Sequence, residues 1–215
     1  MILEDLRKEV VKTGVRILET GLVTLTWGNI SVKDEETGHI AITPSGMDYK
    51  IITPEDIVVV DSSGKVIDGI RKPSSEMPMH LKIYASRPEA NAIVHTHSIY
   101  ATAMGVAGIE IPLVIGELAN AVGGNVRVAP LAMEGTDELG EVTVDALKGR
   151  KAVLMKNHGV VTIGKTLDDA FSNAVVVEDS SKVYYLARTL GCVSCIPYDI
   201  AEELHKGFLD SYGQK

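Results

Sequence analysis

Near the middle of the chain, Ala92-Ile-Val-His-Thr-His-Ser98 sets two histidines two residues apart at the end of a short apolar, β-prone run. Successive side chains of a strand point to opposite faces, so His95 and His97 project together. No other stretch constrains the fold as much. A sheet must carry the run, and its end must open on something that satisfies two imidazoles, because buried polar groups need partners. A shared acceptor would do, and so would a shared cation. Imidazole suits zinc and its neighbours in the transition series, and catalytic sites of that kind keep three protein ligands and one open position. The candidate for a third ligand is His158 in Lys156-Asn-His-Gly159, which follows the apolar run Ala152-Val-Leu-Met155 and precedes a glycine. That is the pattern of a strand end presenting a side chain to a cleft. A lone histidine beside an apolar run is also an ordinary core residue, so spacing by itself leaves both readings open.

The rest of the sequence narrows the class of protein. Its 215 residues carry no Pro/Gly/Ser linker, charge block or internal repeat, which points to one domain spanning 1–215. A formal charge of −8 argues against nucleic acid or an anionic membrane as partner, since those need clustered Lys and Arg. No apolar run approaches the roughly 20 residues of a membrane span, and the N-terminus reads as an amphipathic helix rather than a signal peptide. The expected location is the cytoplasm. Cys192 and Cys195 form one C-x-x-C with no second pair, and they read as free thiols.

Taken in order, residues 3–20 show helical spacing of Leu3, Leu6, Val10 and Ile17, with Gly21 as a stop signal. Residues 30–43 read as strand, turn, strand, and 57–68 as a hairpin around Ser62-Ser-Gly64. Gly28-Asn29, Thr43-Pro-Ser-Gly46 and Pro73-Ser-Ser-Glu76 are turns rich in hydroxyls and free N–H groups, a composition that suits a phosphate held by dipoles. Ser74 or Ser75 is expected to cap a helix over 76–86, with Glu76 at its start and His80 one turn on, in the core or behind the site. Helices are expected near 100–106, 138–148 and 200–209, and a long one opens at Thr166 and carries Glu178 on its surface. Residues 111–117 and 123–128 read as extended or loop.

The set Gly28-Asn-Ile-Ser31, Thr43-Pro-Ser-Gly46, Lys72-Pro-Ser-Ser-Glu76, His95-Thr-His97 and Asn157-His-Gly159 occurs in the order of the class II aldolase/adducin family, and the resemblance runs over nearly the whole chain. It implies a three-layer α/β/α domain with a mainly antiparallel central sheet. It implies zinc, or another divalent transition metal, on His95, His97 and His158, with Glu76 as acid/base that can also reach the metal. Gly28, Asn29, Ser45, Gly46, Ser74 and Ser75 match positions that hold a small phosphorylated sugar. The activity implied is reversible cleavage of a ketose 1-phosphate, of the L-fuculose or 5-deoxyribulose type, to dihydroxyacetone phosphate and a short aldehyde. A homotetramer with sites between subunits also follows from the resemblance.

One position departs from the aldolase pattern. Where those enzymes carry a tyrosine that protonates the aldehyde oxygen from a neighbouring subunit, registering on Gly123-Gly124 places Glu117. Related methylthioribulose-phosphate dehydratases use a glutamate nearby as base but lack the counterpart of Glu76. Pentulose-phosphate 4-epimerases carry aspartate there. Tyr212 in the tail is the other candidate proton donor or lid. A fold kept without catalysis, as in adducin, would show lost ligands, whereas here the three histidines and Glu76 are all present.

Overall fold

The run that carries the two histidines becomes β5 (Ala92–Thr96), deep inside an eight-stranded sheet. A computed structural model describes residues 1–211. In chain order the other strands are β1 (Asn29–Lys33), β2 (Ile40–Ile42), β3 (Val58–Val60), β4 (Val66–Asp68), β6 (Arg127–Ala129), β7 (Ala152–Met155) and β8 (Gly159–Gly164). Across the sheet they lie in the order β4-β3-β2-β1-β5-β8-β7-β6. Every neighbouring pair is antiparallel except β6 with β7. The mainly antiparallel sheet implied by the resemblance is what the chain forms.

Helices cover both faces, because β5, β7 and β8 are buried on both sides and must be covered twice. The helices are α1 (Glu4–Glu19), α2 (Met77–Ser86), α3 (Ile99–Ala107), α4 (Gly116–Val122), α5 (Asp137–Leu147), α6 (Leu167–Thr189) and α7 (Tyr198–Ser211). On one face Ile30, Val32 and Val94 pack under α1 and α6. Farther along that face, α3, α4 and α7 close over Ala152, Leu154 and Val160. On the other, Ile93, Val153, Met155 and Val161 pack under α2 and α5. The period-two pattern of β5 therefore sends Ala92 and Val94 to the first face and Ile93 and His95 to the second.

Three local expectations are corrected. Gly116 and Glu117 belong to a helix, α4, not to an extended segment. Seven residues are too few to show helical periodicity, and the helix exists because Leu118, Ala119, Ala121 and Val122 are buried in the core. Neither Ser74 nor Ser75 caps α2; its N-cap is Glu76 and no side chain bonds its first turn. Pro78 in that turn lacks an N–H, which reduces what a cap could satisfy, and Ser74 Oγ instead accepts from Glu76 N at 3.2 Å. Glu178, read as a surface residue, is half-buried and accepts from the backbone N–H groups of Tyr100 and Ala101, both at 2.9 Å, at the start of α3. The two cysteines are unpaired and exposed. No helix of the described residues is long and apolar enough to cross a membrane.

Candidate active site

The site lies where β5 ends and β8 begins. Antiparallel pairing sets Ala92 opposite Gly164 at one end and Thr96 opposite Val160 at the other, so the end of β5 meets the start of β8. His158 reaches the same place through a tight turn. Asn157 takes φ 59°, a left-handed conformation that asparagine tolerates better than most residues. Gly159 must be glycine for a different reason: a Cβ there would lie 2.4 Å from Thr96 O and about 3 Å from the rings of His95 and His97. Gly28 backs the histidines from the β1 side, at φ +77° and with a Cβ position 2.6 Å from His95 O.

The ring nitrogens of His95, His97 and His158 fall within 4.8 Å of one another. Tetrahedral ligands at 2.0–2.1 Å from a metal stand about 3.3 Å apart; His95 and His97, 2.9 Å apart, already lie within that spacing, and a pair at the 4.8 Å limit would close in by about 1.5 Å around an ion. His95 shows that the donors are also in the right form. Its Nδ1 lies 2.8 Å from Val160 O, and a carbonyl only accepts, so Nδ1 carries the proton. Its Nε2 faces His97 Nε2 at 2.9 Å and Glu76 Oε2 at 3.1 Å. A lone pair so close to a carboxylate demands a positive charge between or upon them, and a cation with imidazole and carboxylate ligands meets that demand.

Glu76 is wedged among these rings. Oε2 contacts His95, Oε1 lies 3.1 Å from His158 Nε2, and the Asn29 amide donates to Oε2 at 2.6 Å. Burial alone would push its carboxyl up, but His95 and His158 beside it hold it far below the ordinary carboxylate range. Burial works against charge on His95 as well, and there the carboxylate of Glu76 wins and raises it. At His97 burial, with His95 and His158 adding, outweighs the pull of Glu76 and pushes the ring down to about 3. Trp27 stacks on the His97 ring at 5.8 Å.

The three hydroxyl-rich turns are stitched together beside this centre. Thr43 exchanges hydrogen bonds with Ile30, donating its N–H to Ile30 O and accepting from Ile30 N on Oγ1. Pro44 and Pro73 face each other in an antiparallel bridge, Ser74 N donates to Thr43 O, and Ser45 N donates to Lys72 O. Ser45, Gly46 and Ser75 are left exposed, while Ser74 and Asn29 are buried. Tyr49, its hydroxyl on Gly28 O at 2.9 Å, fixes the first turn from below.

Glu117 is not among these residues. It lines a cleft of about 1000 Å³ together with Ala90, Lys151, Ile163, Gly164 and Lys165. Those residues flank the start of β5 and the end of β8, the opposite end of the strands from the histidines. Tyr212 lies outside the described residues. Two neighbours of the centre escaped sequence reasoning: Trp27, and Glu134, whose Oε1 lies 3.5 Å from His158 Nε2. Neither sits at a spacing that ties it to the histidines.

The chain is similar to known proteins along nearly its whole length. The family model described as Class II Aldolase and Adducin N-terminal domain matches residues 8–185. A 5-deoxy-D-ribulose 1-phosphate aldolase of Bacillus thuringiensis serovar kurstaki is 40% identical over the full length of both chains. A solved structure of an L-fuculose 1-phosphate aldolase superposes with a TM-score of 0.93 at 40% identity, covering 95% of this chain and 96% of that one. The L-fuculose-1-phosphate aldolase of Thermus thermophilus gives 0.76 at 25% identity, over 86% of this chain and 95% of its own.

Proposed function

This chain belongs to the class II aldolase and adducin family, and from that premise we propose that it reversibly cleaves a short deoxyketose 1-phosphate to dihydroxyacetone phosphate and an aldehyde. Its aldolase relatives make it a lyase. Two sugars fit the resemblance: L-fuculose 1-phosphate, which would release L-lactaldehyde, and 5-deoxyribulose 1-phosphate, which would release a two-carbon aldehyde. The observation that carries the proposal is the placement of Glu76, an ionised carboxylate held by Asn29 between His95 and His158.

His95, His97 and His158 would hold a zinc ion or a similar divalent metal, which when bound supplies Lewis acidity to the oxygens of a bound ketose. The protein's own groups do the rest. Glu76 gives a proton to the carbon freed when C3–C4 breaks, and removes it in the condensation direction, which needs a carboxylate within hydrogen-bond reach. Its ionised form at neutral pH suits it to the second task. Ser45, Gly46, Ser74 and Ser75, with Gly28 and Asn29, offer hydroxyls and N–H groups to the phosphate without a lysine-rich loop. We further propose that it acts in the cytoplasm, and as the homotetramer that the resemblance implies.

The test is release of dihydroxyacetone phosphate from each sugar by the purified protein, with and without a strong chelator. Release that the chelator stops supports the proposal, and the ratio of rates names the preferred sugar. A metal-loaded protein that releases nothing from either sugar overturns it. Glu76→Gln should abolish turnover while metal stays bound, and full activity in that variant would remove Glu76 as the base.

A further inference from the structure

Behind Glu76 runs a line of buried polar groups. Asn29 and Ser31, two apart on β1, face the side of α2 on which Glu76, His80 and Tyr84 recur every fourth residue. Asn29 Nδ2 donates to Glu76 Oε2 at 2.6 Å, and His80 Nε2 lies 2.5 Å from Asn29 Oδ1. On its other side His80 Nδ1 lies 2.7 Å from Ser31 Oγ, which lies 2.8 Å from the Tyr84 hydroxyl. His80 and Ser31 have no exposed surface at all.

The carboxylate fixes the direction of every proton in this line. An ionised carboxylate only accepts, so Asn29 turns its amide nitrogen to Glu76 and its carbonyl to His80. That carbonyl only accepts, so the His80 proton sits on Nε2. Nδ1 then accepts from the Ser31 hydroxyl, whose oxygen takes the proton of Tyr84. A neutral imidazole is required, and burial pushes His80 down to about 3, which keeps it neutral. Tyr84 has a second acceptor in Asn91 O at 3.5 Å, but Asn29, between the carboxylate and the ring, is left with one orientation.

We propose that His80 is a positioning residue: it fixes the Asn29 amide, and through it the Glu76 carboxylate, in the orientation that proton transfer requires, while Ser31, backed by Tyr84, occupies the ring's other nitrogen. The inference rests on the reading of Glu76 as the acid/base of an aldolase and deepens it. His80 acts at a remove, since its own hydrogen bonds go to Asn29 and Ser31.

Three substitutions separate positioning from packing. His80→Gln sets an amide nitrogen where Nε2 stands and keeps the donor to Asn29, whereas His80→Asn and His80→Phe lose it. Loss of the donor should lower kcat about 10- to 100-fold with metal still bound, and His80→Gln should recover most of the rate. An equal kcat in all three variants, or an equal loss in all three, overturns the inference. Should His80→Phe fail to fold, the comparison of His80→Gln with His80→Asn carries the same test, because the two amides differ only in whether a nitrogen reaches Asn29 Oδ1. Nitrogen NMR of the histidine-labelled wild-type protein reads the tautomer without any turnover: Nε2–H is expected, and Nδ1–H in an active enzyme overturns the relay alone. The Nε2–H tautomer in a metal-loaded protein that cleaves no ketose 1-phosphate overturns the aldolase reading while supporting the relay.

Discussion

Single residues decide whether the histidines can meet. Gly159 has no room for a methyl group between Thr96 O and the rings of His95 and His97. Gly159→Ala should cost about 1–3 kcal/mol of stability, the usual range for overfilling a packed interior, and should weaken metal binding because the displaced atoms belong to the site. Urea melts and metal analysis of the purified variant check both. His80 gives a pH prediction. Its folded pKa, near 3, lies below the roughly 6.5 of an unfolded histidine, so the unfolded chain binds the proton first. The stability that neutral His80 contributes is complete above pH 6.5 and is lost as pH falls from there toward 3. Between pH 6.5 and 4.5 the wild-type protein should lose about 1.4 kcal/mol per pH unit more than His80→Phe. Parallel curves for the two would show that His80 is not buried neutral.

At the scale of elements, legibility followed length and periodicity. The apolar runs ending in His97 and Met155 became strands, and the 3.6-residue stripe of residues 3–20 became α1, because each run is long enough to specify its own burial. Helix α4 was missed because seven residues hold less than two full helical repeats. The relay behind Glu76 was half legible: spacing of four in Glu76, His80 and Tyr84 and of two in Asn29 and Ser31 is visible in the sequence, but only the packing of α2 on β1 makes them one line. Glu178 was misjudged for the same reason, since its partners lie 77 and 78 residues away at the start of α3. Its two hydrogen bonds satisfy N–H groups that a helix leaves unpaired, and its charge opposes the helix dipole. Glu178→Ala should therefore cost about 1–3 kcal/mol, read by chemical denaturation, and should leave the metal content unchanged.

On the scale of the whole molecule, the central strands have two working ends. The histidines and the phosphate-suited turns share one, and the cleft that holds Glu117 lies at the other. If Glu117 takes part in the reaction, it does so in the site of another subunit. Glu76→Gln and Glu117→Gln, each inactive alone, should then regain partial activity when expressed together and purified as mixed oligomers. A mixture that stays inactive would rule out sharing between subunits, and a fully active Glu117→Gln would remove the residue from the reaction altogether. The placement of the site also sets an order of events during synthesis. Asn29 meets Glu76 across 47 residues and His95 meets Val160 across 65, so apart from His95 against His97 the centre is assembled from distant parts of the chain. Such contacts form late, after loop closure has been overcome. A chain still on the ribosome, with β8 not yet made, carries His95 and His97 on a strand edge that has no second neighbour. A metal held by these histidines would thus join a subunit already folded around them, and not seed its folding.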